Sequence, residues 1–140
     1  MEPLKGDDES LDAFYRGRIL ILQKKNGFRF SLDAPLLADF IRTEAEDELL
    51  ELGTGCGVVA LLLSIKPFRS LTALEIQDSL FDLAFRNVRL NHLDERIRVL
   101  RADLREYSCR RLIHGLCGGT FGYTISAMWL LRYERFWISQ

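Results

Sequence analysis

The sequence predicts an α/β fold that contains the first half of an open parallel sheet. Three short apolar runs with the character of buried strands, at 49–52, 71–76 and 97–100, alternate with two apolar helical segments. The first run leads directly into a glycine-rich loop and a helix, which is the order of elements in doubly wound nucleotide-binding sheets. A β-hairpin and a helix are expected to precede this partial sheet.

The expected hairpin is centred on residues 26–27, because Asn-Gly between two apolar runs is a strong signal for a tight turn. Its strands are predicted at 18–23 and 28–31. Asp33 is predicted to cap the next helix, with Pro35 in the first turn, where a missing N–H group is tolerated. The apolar face of that helix is predicted to contain Leu36, Leu37, Phe40 and Ile41.

Each helix has a predicted end. The first should stop near Thr43, where an acidic run begins, and the second, 58–65, should stop before Pro67. The third begins at residue 78 or 79, and Asn91 is expected to end it in a left-handed conformation.

Composition divides the chain into three parts. Residues 1–12 are rich in acids and are predicted to form a mobile acidic head, 13–107 form the nucleotide-binding domain, and 108–140 form a divergent tail. Within the tail, a strand is predicted near 121–126. A final helix is predicted to carry an aromatic face made of Trp129, Tyr133, Phe136 and Trp137.

Bulk properties exclude several classes of protein. With 140 residues, 48% hydrophobic residues and a net charge of −1, the chain is expected to be one globular unit rather than a disordered one. The longest apolar stretch, 116–131, is shorter than the ~20 residues that span a bilayer. The acidic start is unlike a signal peptide, and three cysteines without metal-like spacing suit free thiols. We therefore expect a cytoplasmic protein without a metal site.

The glycine-rich loop 53–57 is the strongest functional signal, since glycines after a strand let a ligand approach the backbone. A dinucleotide fingerprint would need glycine or alanine at its sixth position, where this chain has Val58. Glu51 lies two residues before the loop. An acid there suits a ligand with a cationic end, such as the ammonium group of S-adenosylmethionine, and suits a pyrophosphate poorly.

Two further acids end the next two strands. Glu75 is placed to accept hydrogen bonds from ribose hydroxyls, and Asp103 to accept one from an adenine amine. Because the carboxyl ends of parallel strands meet at one edge, these acids should face the same crevice as the loop. The predicted cofactor-binding residues are Glu51, Gly53, Thr54, Gly55, Gly57, Glu75 and Asp103.

The region from about Tyr15 to Tyr107 resembles the bacterial tRNA adenine methyltransferases that modify an adenosine beside the anticodon of valine tRNA, within the small-domain class I methyltransferases. The matching segments are 26–40, 50–57, 74–77, 84–91 and 102–103. The resemblance implies a Rossmann-like sheet, S-adenosylmethionine as cofactor, tRNA as partner and methyl transfer to an adenine amine.

One motif of that family is missing. Its members carry Asn-Pro-Pro-Tyr after the fourth strand, which binds the target amine and stacks on the flipped base. The three prolines of this chain, Pro3, Pro35 and Pro67, all precede Asp103. No residue is therefore predicted to be catalytic. The alternatives are a truncated fragment that at most binds the cofactor, and an interaction module that keeps the cofactor-binding loop as a scaffold.

The missing end of the family's sheet also affects the expected oligomeric state. In this fold a fourth strand normally pairs with the first strand of the sheet, here 49–52. Without it, we expect an open edge that promotes self-association, unless the segment 121–126 supplies a substitute strand.

Overall fold

The computed structural model describes residues 5–27, 29–103 and 105–107, together with the backbone of 129–133. A two-stranded hairpin precedes a helix and a four-stranded sheet. The elements are β1 (Glu9–Phe14), β2 (Ile19–Lys24), α1 (Asp33–Phe40), β3 (Glu48–Leu52), α2 (Val58–Leu63), β4 (Ser70–Glu75), α3 (Asp78–Leu90), β5 (Ile97–Arg101) and β6 (Trp129–Tyr133). The predicted fold class is confirmed.

The sheet has the strand order β5-β4-β3-β6. Strands β3, β4 and β5 are parallel and are joined by α2 and α3, as the alternation of apolar runs predicted. The six residues of α2 are all buried, and this helix contacts α1, α3 and β2. These three parallel strands bring their carboxyl ends to one edge, which places the candidate site there.

Strand β6 differs from the prediction for the tail. It pairs antiparallel with β3, from Glu48 opposite Tyr133 to Leu52 opposite Trp129. A helix through Trp129 and Tyr133 was therefore a wrong prediction, and the expected strand near 121–126 lies outside the described residues. Pairing with β6 satisfies the backbone groups along that side of β3, so the open edge on which the expected self-association rested is not present.

The hairpin uses different strands from those predicted. Strand β2 lies close to the predicted run 18–23, but its partner is β1, upstream in the chain. The turn between them has positive φ at Tyr15, Arg16 and Gly17. Residues 29–31 are not a strand, and Phe30 packs on Phe14 with ring centroids 5.4 Å apart.

Strand β1 also overlaps the segment that was predicted to be a mobile acidic head. Glu9 is buried, and its carboxylate accepts hydrogen bonds from Arg86 Nη1 at 2.9 Å and Nη2 at 2.6 Å. Lys24 Nζ lies 3.4 Å from the same carboxylate, and the Gly6 N–H donates to it at 2.8 Å. These contacts lower the pKa of Glu9 to about 2. They fix residues 9–12 onto β2 and α3, contrary to the prediction for that part of the head.

Helix α1 begins and ends differently from the prediction. Leu32 occupies the N-cap position without a side-chain cap, and Asp33 is the first helical residue. The helix ends at Phe40, since Ile41 is extended. Its buried face consists of Ala34 and Ala38. The predicted apolar residues Leu36 and Phe40 are instead exposed.

Helix α3 is amphipathic and ends close to the predicted position. Asn91 follows it with φ −95°, so it is not left-handed, and His92 takes that role with φ 56°. The Asn91 side chain binds β2 instead: its Oδ1 accepts from the Leu20 N–H, and its Nδ2 donates to the Leu20 carbonyl. Among the described residues, no helix is long and apolar enough to cross a bilayer.

Candidate cofactor-binding site

The glycine loop connects β3 to α2 through three glycines with positive φ: Gly53 at 74°, Gly55 at 60° and Gly57 at 83°. At Gly57, the N-cap of α2, a side chain would be strained by this φ and its Cβ would lie 3.4 Å from the Cβ of Ala84. The Gly53 and Thr54 N–H groups both donate to the Leu74 carbonyl at 2.9 Å. The loop is thus anchored to the end of β4.

Glu75 holds the other side of the loop. Its side chain is buried, and Oε2 accepts a hydrogen bond from the Gly55 N–H at 2.8 Å. Oε1 accepts from the N–H groups of Ile76 and Gln77, both at 2.9 Å. A carboxylate offers about four lone-pair sites. One site therefore remains for a ligand hydroxyl after these three bonds, while the loop and the strand end are kept together.

Glu51 lies at the end of β3, just before the loop, with an exposed fraction of 0%. Neither carboxylate oxygen has a hydrogen-bond partner among the described residues. Burial raises the pKa of Glu51 to about 8, and the charge of Glu75 adds to this. The Thr54 hydroxyl and the Ala60 N–H act in the opposite direction without reaching hydrogen-bond geometry. Glu51 is therefore mostly protonated at pH 7.

Asp103 follows β5 and is paired with Arg105. The Arg105 Nε lies 3.0 Å from both carboxylate oxygens, and the Arg105 backbone N–H donates to Oδ1 at 2.9 Å. This pairing lowers the pKa of Asp103 to about 2. Asp103 is thus ionised at neutral pH and already paired with the Arg105 guanidinium.

A cavity of about 270 Å³ brings several of these residues together. It is lined by Gly53 after β3, by residues 74–76 at the end of β4, and by Ala102, Asp103 and Arg105 after β5. Its size is close to the lower limit of small-molecule sites. Glu51 and Thr54 do not line this cavity. Both are buried where β3 leads into the loop.

Sequence reasoning missed two residues of this region. Arg105 is one of several arginines in the second half of the chain that could contact phosphate, and the sequence did not assign it to the cofactor site. Asn87 is fully buried and bonded to the loop, and an asparagine on the apolar face of an amphipathic helix could have indicated it. The Cys56 thiol is buried, and burial raises its pKa to about 11, which disfavours the reactive thiolate.

Within the described ranges, no group of His, Cys, Asp and Glu side chains is arranged to hold a metal ion. The residues at the strand ends are acids and glycines, which suit an organic ligand that carries hydrogen-bond donors.

Solved structures share this arrangement of strands and helices. The chain superposes on TYW2 of P. horikoshii in complex with MeSAdo with a TM-score of 0.61 at 16% identity, covering 74% of this chain and 39% of that one. TYW2 of M. jannaschii in complex with AdoMet gives a TM-score of 0.59 at 17% identity, covering 73% of this chain and 47% of that one. The fold is part of the Rossmann-like fold of the class I methyltransferases.

Curated relatives point to a narrower group, and no family model matches the chain. A protein of Flavobacteriaceae bacterium (strain 3519-10) named tRNA1(Val) (adenine(37)-N6)-methyltransferase is 27% identical over 95 residues, 67% of this chain and 41% of the relative. A protein of the same name in Bacteroides fragilis is 33% identical over 84 residues, which cover 60% of this chain and 35% of the relative. The resemblance found in the sequence is confirmed, and the chain spans about two fifths or less of these relatives.

Proposed function

We propose that this chain binds S-adenosylmethionine at the carboxyl ends of β3, β4 and β5, as the cofactor-binding part of a tRNA methyltransferase. The observation that carries the proposal is Glu51, a fully buried carboxyl group directly before the glycine loop, whose two oxygens have no hydrogen-bond partner within the described part of the chain. Buried polar atoms are nearly always hydrogen-bonded, so an unpartnered pair of acceptors marks a place for a ligand donor.

The chemistry of the site suits each part of this cofactor. Glu51 would hold the ammonium group, since a cation is the one partner that compensates a buried carboxylate. Glu75 would accept a hydrogen bond from the ribose, and Asp103 from the adenine amine. The bound cofactor would supply the methyl group, while the residues described here bind and orient it.

The adenine amine of a tRNA is the proposed methyl acceptor. This finer assignment is supported by the names of the curated relatives and by the segments that resemble the family, above all 26–40. A tRNA substrate also fits the expected cytoplasmic location. The residues that would grip the target base are not found among these 140, because no Asn-Pro-Pro-Tyr run occurs in the sequence.

Replacing Glu75 with alanine should weaken the binding of S-adenosylhomocysteine at least about tenfold, since both the ribose contact and the support of Gly55 are lost. Isothermal titration calorimetry on wild type and variant measures this. Glu48→Ala is the matched control, because Glu48 lies at the opposite end of the sheet. Equal affinity of the Glu75→Ala variant and wild type would remove Glu75 from the site.

The isolated chain should transfer no labelled methyl group to unmodified tRNA above the level of a sample without protein. The physical reason is the missing set of acceptors for the target amine, because catalysis depends on groups that stabilise the transition state. A full-length relative provides the positive control. Transfer at the rate of that relative would contradict the proposal that this chain supplies only cofactor binding.

A further inference from the structure

We propose that Asn87 is a positioning residue for the cofactor loop, which it holds in its ligand-binding conformation through the carbonyl of Cys56. The inference rests on the proposed function, because it assigns a role to Asn87 in the binding of S-adenosylmethionine. It adds a residue from α3, which is remote in sequence from the loop and does not line the cavity.

Asn87 is fully buried and uses both ends of its side-chain amide. Oδ1 accepts a hydrogen bond from the Leu22 N–H at 2.7 Å. Nδ2 donates to the Leu22 carbonyl at 2.9 Å and to the Cys56 carbonyl at 2.8 Å. A single side chain therefore joins the helix, the edge of β2 and the loop, and it requires a donor and an acceptor at once.

Asn91, one helical turn later, provides an internal comparison. Its Oδ1 accepts from the Leu20 N–H at 2.8 Å, and its Nδ2 donates to the Leu20 carbonyl at 2.7 Å. Its second Nδ2 bond, also 2.7 Å, goes to the carbonyl of Asn87 within the same helix. Both asparagines thus pair with β2 in the same way, but Asn87 is fully buried and reaches the loop, whereas Asn91 is half-buried and bonds to the backbone of its own helix.

The Cys56 carbonyl is a sensitive point of the loop. It belongs to the peptide group that joins Cys56 to Gly57, and Gly57 has φ 83°. Glycine accepts either sign of φ, so the orientation of this peptide group depends on its hydrogen bonds: the Gly57 N–H donates to the Thr54 carbonyl at 2.9 Å, and the Cys56 carbonyl accepts from Asn87. Glu75 fixes the preceding Gly55 N–H from the side of β4, and Asn87 fixes the Cys56 carbonyl from the side of α3. The loop is held from both sides.

Loss of the Asn87 donor would let the loop populate other conformations. Only the fraction in the binding conformation takes up ligand, so the apparent dissociation constant rises by the inverse of that fraction. The affinity loss should therefore exceed what the change in global stability accounts for, and it should be absent when the equivalent bonds of Asn91 are removed.

The test compares two matched pairs of variants, Asn87→Ala with Asn91→Ala, and Asn87→Asp with Asn91→Asp. The aspartate variants have nearly the same shape as asparagine and leave no cavity, although a carboxylate at position 87 would face the Leu22 and Cys56 carbonyls and should lower stability. Calorimetry with S-adenosylhomocysteine is done at a temperature where melting curves show each protein to be folded. We expect the dissociation constant to rise about tenfold for the Asn87 variants and to change less than about twofold for the Asn91 variants.

A second measurement needs no variant. In the wild-type chain, the side-chain amide protons of Asn87 should exchange more slowly on addition of S-adenosylhomocysteine, while those of Asn91 should not change. Equal effects of the two asparagines in either experiment would overturn the role of Asn87. Failure of the wild-type chain to bind S-adenosylhomocysteine would instead overturn the proposed function, so the two failures are distinguishable.

Discussion

Replacing Glu51 with glutamine should weaken the binding of S-adenosylhomocysteine about 100-fold, because the ligand ammonium would lose its buried carboxylate partner. Glutamine keeps the shape of the side chain, so the fold should be retained. Calorimetry at pH 8.5 on wild type and variant measures the difference. This is the largest effect that we expect from a single change in the site.

The same substitution should remove a pH dependence of binding. The pKa of Glu51 is raised to about 8, so its carboxyl group must lose a proton before it can pair with an ammonium group. The affinity of wild type should therefore rise with pH up to about 8, and fall about tenfold for each unit below it. The Glu51→Gln variant should lack this slope.

Methylthioadenosine provides the matched control ligand, because it lacks the amino acid part of the cofactor. Its affinity should be nearly equal for wild type and Glu51→Gln, and it should vary little between pH 6 and pH 8.5. If both ligands lose the same affinity in the variant, Glu51 supports the loop rather than the ammonium group.

Replacing Arg86 with methionine should lower the free energy of unfolding by about 3 kcal/mol, because the buried Glu9 carboxylate then keeps only Lys24 and the Gly6 N–H as partners among the described residues. The Glu9 side chain is only 3% exposed, and Arg86 contacts both of its oxygens. Urea unfolding at pH 7 measures the change. Asp82→Ala is the control: it removes the exposed partner of Arg86 on the same helix and should cost less than about 0.5 kcal/mol.

The pH dependence of stability identifies the group responsible. Glu9 has its pKa lowered from 4.5 to about 2 in the folded protein, so its contribution is present above pH 4.5 and is lost as the pH falls toward 2. Wild type should lose stability over this window more steeply than Arg86→Met. Parallel curves for the two proteins would show that the Glu9–Arg86 pair does not stabilise the fold.

The central part of the fold could be predicted because its signals are local. Strands β3, β4 and β5 are short apolar runs, each followed within a few residues by a glycine or an acid. The loop 53–57 and the acids Glu75 and Asp103 therefore fell at one edge of the sheet as soon as the strands were assigned. Glu51 was placed by the same argument, although its complete burial was not visible in the sequence.

The remaining errors come from contacts between distant parts of the chain. Asn26-Gly27 is a good local turn signal, but β2 pairs with β1, which is fixed by Glu9 to a helix 77 residues away in sequence. Likewise, β6 pairs with β3 although β4 and β5 lie between them in sequence, and no local pattern indicates this pairing. The buried face of α1 is set by small alanines, whereas hydrophobicity favoured Leu36 and Phe40.

The most direct test of the account is a calorimetric titration of the wild-type chain with S-adenosylhomocysteine and, separately, with NAD. The loop departs from the dinucleotide pattern at Val58, and Glu51 and Glu75 place two carboxyl groups beside it. We therefore predict saturable binding of S-adenosylhomocysteine and none of NAD. Binding of NAD, or the absence of binding by S-adenosylhomocysteine to the folded chain, would contradict the assignment of this site.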